Sequence, residues 1–126
     1  MRSFKGLEVW KKAHQLTLEV YRASRSFPRE ELYGLTGQMR RSAASIPANV
    51  AEGCCRDGVL EFARFLGIAM GSASELEYHM LLARDLKLLP LAEFQLLEPR
   101  VIEIKRMLTR LIQKLKADSR LLKANG

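Results

Sequence analysis

The sequence predicts an all-α fold, an antiparallel up-down-up-down four-helix bundle, on three observations. Apolar residues recur at steps of three and four along four separate stretches, as one buried stripe per helix requires. No stretch sustains the period-two alternation of a half-buried strand. The breaks between stretches are short and carry glycine or proline, and short links favour antiparallel neighbours. A chain of 126 residues has the size of one domain and can bury a core without staples. Hydrophobic residues make up 48% of it and charged residues 28%, the balance of a globular chain.

The first helix is expected over about 7–26. Gly6 serves as N-cap, and Glu8 suits the positive end of the dipole. Val9, Ala13, Leu16, Val20 and Ala23 form its stripe, and Phe27-Pro28 ends it, because a residue before proline avoids the helical region. The second helix is expected over 33–53, with Leu35, Met39, Ala43, Ile46 and Val50 as its stripe and Gly53 as its C-terminal cap. Pro47 lies inside that pattern, where it removes one hydrogen bond and crowds the carbonyl of Ala43, so a kink is expected. Asp57 is the expected N-cap of a third helix over 58–87, striped by Phe62, Phe65, Ala69, Ala73, Leu76, Met80 and Ala83. Pro90 closes the next turn. The fourth helix is expected over 91–117, with a seam of Leu97, Val101, Ile104, Leu108, Leu111 and Leu115 and a basic tail beyond it. Pro99 marks either a first turn, with the helix starting near Glu98, or a second kink.

Several function classes are excluded by what the sequence lacks. No apolar run approaches membrane-spanning length, so no membrane partner is expected. No secretory signal is readable, and a cytoplasmic protein is expected. The adjacent Cys54 and Cys55 would close almost no loop as a disulfide and are expected to be reduced. A di-iron bundle needs glutamates plus Glu-x-x-His pairs on two helices. Only His14 and His79 are present, preceded at three residues by Lys11 and Leu76. Glu75 stands four before His79, a spacing expected to give a surface hydrogen bond rather than a metal site. With no phosphate loop and no nucleophile motif either, the expectation is a non-enzyme without metal or cofactor.

Three features carry the functional expectations. The first is a polar line on the second helix, Arg41, Ser45, Asn49, Glu52 and Arg56, spaced to share one face. It is either a solvated face or a network that pairs with Glu75 and Glu77 and lets Asn49 bond backbone freed by Pro47. Arg40 and Arg41 also suit phosphate. The second is the third helix, apolar or small on more than one face, where Gly67 and Gly71 allow another backbone to approach. Glycine costs a helix about 1 kcal/mol against alanine, so two of them suggest a packing need, and self-association is expected. The third is charge. The net +7 is uneven: residues 59–99 carry −3 and residues 100–126 carry +6. Arg106, Arg110 and Lys114 repeat every four residues, and Lys116, Arg120 and Lys123 follow. This face is expected to meet RNA phosphates or simply to solubilise the chain; with no aromatic side chain after Phe94, base stacking from it is not expected.

Longer motifs run through these residues: Leu7-Glu8-Val9-Trp10, Phe27-Pro28 with Tyr33-Gly34-Leu35-Thr36, Gln38-Met39-Arg40-Arg41, Ser45 to Gly53 (SIPANVAEG), Glu61-Phe62-x-Arg64-Phe65-Leu66, and Gly71-Ser72-x-x-Glu75-Leu76-Glu77. Through them nearly the whole chain resembles the 23S rRNA intervening-sequence protein family of bacterial four-helix bundles. Cys54-Cys55 departs from the aromatic or glycine residues often met after the central motif. The resemblance implies a small cytosolic protein, similar in fold to the accessory variability determinant protein of diversity-generating retroelements. That relative is a ring of five bundles, which binds a reverse transcriptase and nucleic acid. The resemblance therefore implies a homopentamer and an RNA or nucleic-acid-processing partner. Together the expectations describe a scaffold or accessory protein. Arg40, Arg41, Arg106, Arg110 and Lys114 are its phosphate candidates. Pro47, Asn49, Glu52, Glu75, Gly67 and Gly71 are its structural or interface residues. The alternative is a protein–protein assembly module without nucleic acid.

Overall fold

A computed structural model describes residues 3–125. Four α-helices follow one another: α1 Glu8–Ala23, α2 Leu35–Cys54, α3 Val59–Asp85 and α4 Leu91–Asn125. No strand occurs among the described residues. Each helix packs on its sequence neighbours, and α4 closes the ring against α1. The core follows the expected stripes for the most part: Leu16 and Val20 of α1, Met39 and Ile46 of α2, Leu76 and Met80 of α3, and Leu97, Ile104 and Leu108 of α4 are all fully buried. Leu66, outside the expected stripe of α3, is fully buried too, while Ala23 and Leu111 are only half-buried.

The helix ends depart from expectation in instructive ways. Gly6 closes a short 3-10 turn, and the N-cap of α1 is Leu7, without a side-chain bond. After Ala23 the chain tightens to a 3-10 turn over Ser24–Ser26 before Phe27-Pro28. α2 starts two residues later than expected, because residues 29–31 form their own 3-10 turn and Gly34 takes the N-cap. Gly53 is not a cap. It lies inside α2, which runs on to Cys54 with Cys55 as C-cap. A Cβ there would come within 2.9 Å of Phe62 Cδ1 and Phe65 Cβ, so close packing of α3, not helix termination, calls for glycine. Asp57 does not cap α3 either; Gly58 does, at φ 87°, a backbone region open to glycine. α3 ends in a Schellman turn: Leu88 N–H bonds the Ala83 carbonyl and Lys87 N–H bonds that of Arg84, both at 2.9 Å, with Lys87 at φ 64°.

α4 is longer than expected. Pro99 sits in its ninth position rather than in a first turn, and the basic tail beyond Ala117 continues the helix to Asn125. Both Pro99 and Gln95, whose carbonyl loses its donor, are exposed, so water can serve that carbonyl. Pro47 is buried, and water is not at hand. There the Thr17 hydroxyl of α1 reaches the freed Ala43 carbonyl at 3.1 Å while also contacting Ala13 O at 2.8 Å. Asn49 does not perform this task. Its Nδ2 donates to Ser45 O at 2.8 Å and Ser45 Oγ at 3.0 Å.

Candidate functional site

The polar line of α2 is a network along the seam with α3, one of the two expected forms. Arg41 donates to Glu75 Oε1 at 2.9 Å and to Gln38 at 2.6 Å. One turn on, Ser45 meets both Asn49 and Ser72, whose hydroxyl lies 2.9 Å away. Glu52 holds Arg56 at 2.9 Å. Glu77 does not join this line; it pairs with Lys105 of α4 at 2.8 Å. Glu75 does not turn to His79, because Arg41 holds its Oε1, and His79 Nδ1 lies buried without a partner. The seam can therefore fix the register of α2 on α3. Its exposed ion pairs contribute at most about 1 kcal/mol each.

Two further charge contacts hold α1 to α4. Lys12 bonds Glu103 at 2.8 Å. That contact holds the Glu103 carboxyl below its usual range and the Lys12 ammonium above its own, through the hydrogen bond first and charge second. Glu19, which the stripe reading passed over, is buried and held by Arg100 and by Arg22 at 3.7 Å, with Oε1 left without a partner. The signal was available: Leu16, Glu19, Val20 and Ala23 share the three–four spacing of the core face.

The five phosphate candidates do not form one patch within a single chain. Arg40 turns into the corner between α1 and α2, with Nε on Ser24 Oγ at 2.8 Å and its guanidinium 4.9 Å from the centre of the Tyr21 ring. Arg41 is answered by Glu75. Arg106, Arg110 and Lys114 are exposed along α4, and none of them pairs with a carboxylate among the described residues. Two grooves border them. One, of about 460 Å³, runs between α3 and α4 and is lined by Met70, Ile102, Arg106 and Arg110. The other, of about 310 Å³, is lined by Leu7 and Val9 of the α1 end with Arg110 and Lys114.

α3 turns a second line outward: Leu60, Arg64, Gly67, Gly71, Ser74, Tyr78 and Leu81, at alternating steps of four and three, all exposed. A Cβ at Gly67 or Gly71 would meet nothing within 4 Å, so neither glycine serves packing inside the chain. No group of three His, Cys, Asp or Glu side chains suited to a metal converges among the described residues. No disulfide joins Cys54 and Cys55. No helix there is long and apolar enough to cross a membrane.

A family model described as 23S rRNA-intervening sequence protein matches residues 5–110. Among solved structures, the chain is similar to a protein of unknown function from the S23 ribosomal protein family of Bacteroides thetaiotaomicron. Identity is 23% and the TM-score 0.77, over 83% of this chain and 95% of that one, a likeness of fold. No curated protein matches. The matched span stops at Arg110, so the last four turns of α4 lie beyond the family pattern.

Proposed function

This chain belongs to the 23S rRNA-intervening sequence protein family, and from that premise we propose that it is a cytoplasmic, non-enzymatic, homo-oligomeric scaffold that binds RNA or a ribonucleoprotein through α4. Five copies is the number that the resemblance implies. One observation carries the reading. Nine basic side chains lie within ion-pair reach of carboxylates; among those that do not, Arg106, Arg110 and Lys114 stand in line along one exposed helix face. Cations spaced by one helical turn and left unneutralised suit a polyanion whose charges also repeat. Contacts of this type position an RNA and carry little sequence information. Arg40 and Arg41 contribute less to this surface, since each is already engaged.

A salt titration of RNA binding tests the proposal. Each phosphate contact steepens the fall of log K with log salt by about 0.7 to 0.9. The double variant Arg106→Glu, Arg110→Glu is expected to lower affinity about a hundredfold near 0.1 M salt and to flatten the slope by about two per chain, with the fold intact by circular dichroism. Unchanged binding in that variant overturns the α4 assignment. A second reading, assembly with protein only, is favoured by the uncovered line Leu60 to Leu81 on α3. It predicts a stable oligomer with no measurable RNA affinity at any salt.

A further inference from the structure

The corner between α1 and α2 holds a site that the α4 reading does not use. α2 opens at Leu35 without a side-chain cap bond. The first-turn amides of Thr36 and Gly37 have no carbonyl to reach within the helix, and the dipole adds positive potential there. Glu31 already sets a carboxylate oxygen 3.4 Å from the neighbouring Leu35 amide, which shows the sign of charge that this end accepts. Beside this turn lies a cleft of about 200 Å³ lined by Ser24, Arg25, Pro28, Arg29, Thr36 and Arg40 among others. None of the three arginines pairs with a carboxylate among the described residues. Arg40 spends only Nε on Ser24, leaving its other N–H groups. Thr36 is 3% exposed, yet its Oγ1 has no hydrogen-bond partner. Thr36 lines the cationic cleft, and its buried, unanswered hydroxyl is a donor in want of an acceptor.

We propose that this cleft binds a phosphate group, free or at the end of a strand. Donors approach it from two elements and in several directions: the guanidinium forks of Arg25, Arg29 and Arg40, the Thr36 hydroxyl and the first amides of α2. A tetrahedral group with three free oxygens can answer them together, where a planar carboxylate offers two. The volume is that of roughly seven waters at liquid density, room for one such group and part of its hydration shell. The phosphate group is either the free anion or the 5′-phosphate of an RNA strand. The residues do not overlap with Arg106, Arg110 and Lys114, so the site stands whether or not α4 binds RNA.

Calorimetric titration of the full chain with sodium phosphate tests the site, beside two oligoribonucleotides of one sequence carrying a 5′-phosphate or a 5′-hydroxyl. Phosphate is expected to bind once per chain at millimolar or lower concentration. Arg29→Gln, on an exposed turn outside the core, should weaken it about tenfold and Thr36→Val about fivefold. Arg106→Glu with Arg110→Glu should leave it unchanged, which separates this result from the fate of the α4 reading. A preference of tenfold or more for the 5′-phosphorylated strand names the RNA end as the source. Equal affinity for the two strands, with free phosphate still bound, names the free anion. No heat at about 10 mM phosphate, or equal binding by wild type, Arg29→Gln and Thr36→Val, overturns the proposal.

Discussion

Gly53 and Gly71 are both glycines inside helices, and they face opposite situations across α3. At Gly53 the inner face of α3 presses close, with Phe62 and Phe65 atoms 2.9 Å from where a Cβ would stand. At Gly71, on the outer face, nothing lies within 4 Å. The inner face carries Phe62, Leu66, Ala69, Ala73, Leu76 and Met80, all buried. The outer face carries Leu60, Ile68, Tyr78 and Leu81, exposed by 52%, 42%, 58% and 37%. The helix is thus apolar on both sides, but only one side is covered within the chain. At Gly53 a close approach by α3 calls for glycine, whereas at Gly67 and Gly71 nothing in the chain does.

The covered side should break most sharply beneath Pro47. Thr17→Val keeps the shape of the side chain but removes the hydroxyl from the buried Ala43 carbonyl, and is expected to cost about 1–3 kcal/mol in urea denaturation. If it costs nothing, the Ala43 carbonyl beside Pro47 does not depend on α1. Gly53→Ala is expected to cost about 1–2 kcal/mol. Overpacking against Phe65 Cβ outweighs the gain in helix propensity of about 1 kcal/mol. At the outer face the sign reverses. Gly71→Ala should raise the stability of the dissociated chain by about 1 kcal/mol. The same variant should lower the sedimenting mass at a given concentration, if copies meet on this face. Stabilisation with unchanged mass would move the subunit contact elsewhere.

The smallest effect concerns the α1–α4 side. Glu103 has its carboxyl lowered by Lys12, so its contribution is present above the unfolded value of about 4.3 and fades as pH falls through the folded value. Lys12, raised by Glu103, contributes below its ordinary value and loses that as pH rises through the raised one. Both groups are exposed, so Glu103→Gln should change the melting temperature only slightly near pH 7. The difference between variant and wild type should narrow below pH 4.

Much of this was legible in the chain because helix burial repeats every three or four residues. Most of each helix's buried stripe, the place of Pro47 inside α2 and the pairing of the α2 polar line with Glu75 follow from spacing. Terminal residues were less legible. Gly6, Gly53 and Asp57 each had the chemistry of a cap and none acts as one, because capping depends on backbone angles that neighbours impose. The cleft at the α1–α2 corner was not legible at all. Arg40 was singled out, but Arg25, Arg29 and Thr36 stand as much as fifteen residues away from it and meet it only through the turn between two helices.

By itself the sequence determined the number of helices, their inward faces and the uneven charge, since these depend on composition and on periods that any helix shares. It determined the family through motifs along most of its length. Only the tertiary structure decided which cations are answered and which are left over, because an ion pair needs two side chains brought within about 4 Å by separate helices. It also decided that Thr17 serves the carbonyl that Pro47 leaves free and that Gly71 faces outward, for contacts between elements are set by how helices pack and not by the order in which residues are read.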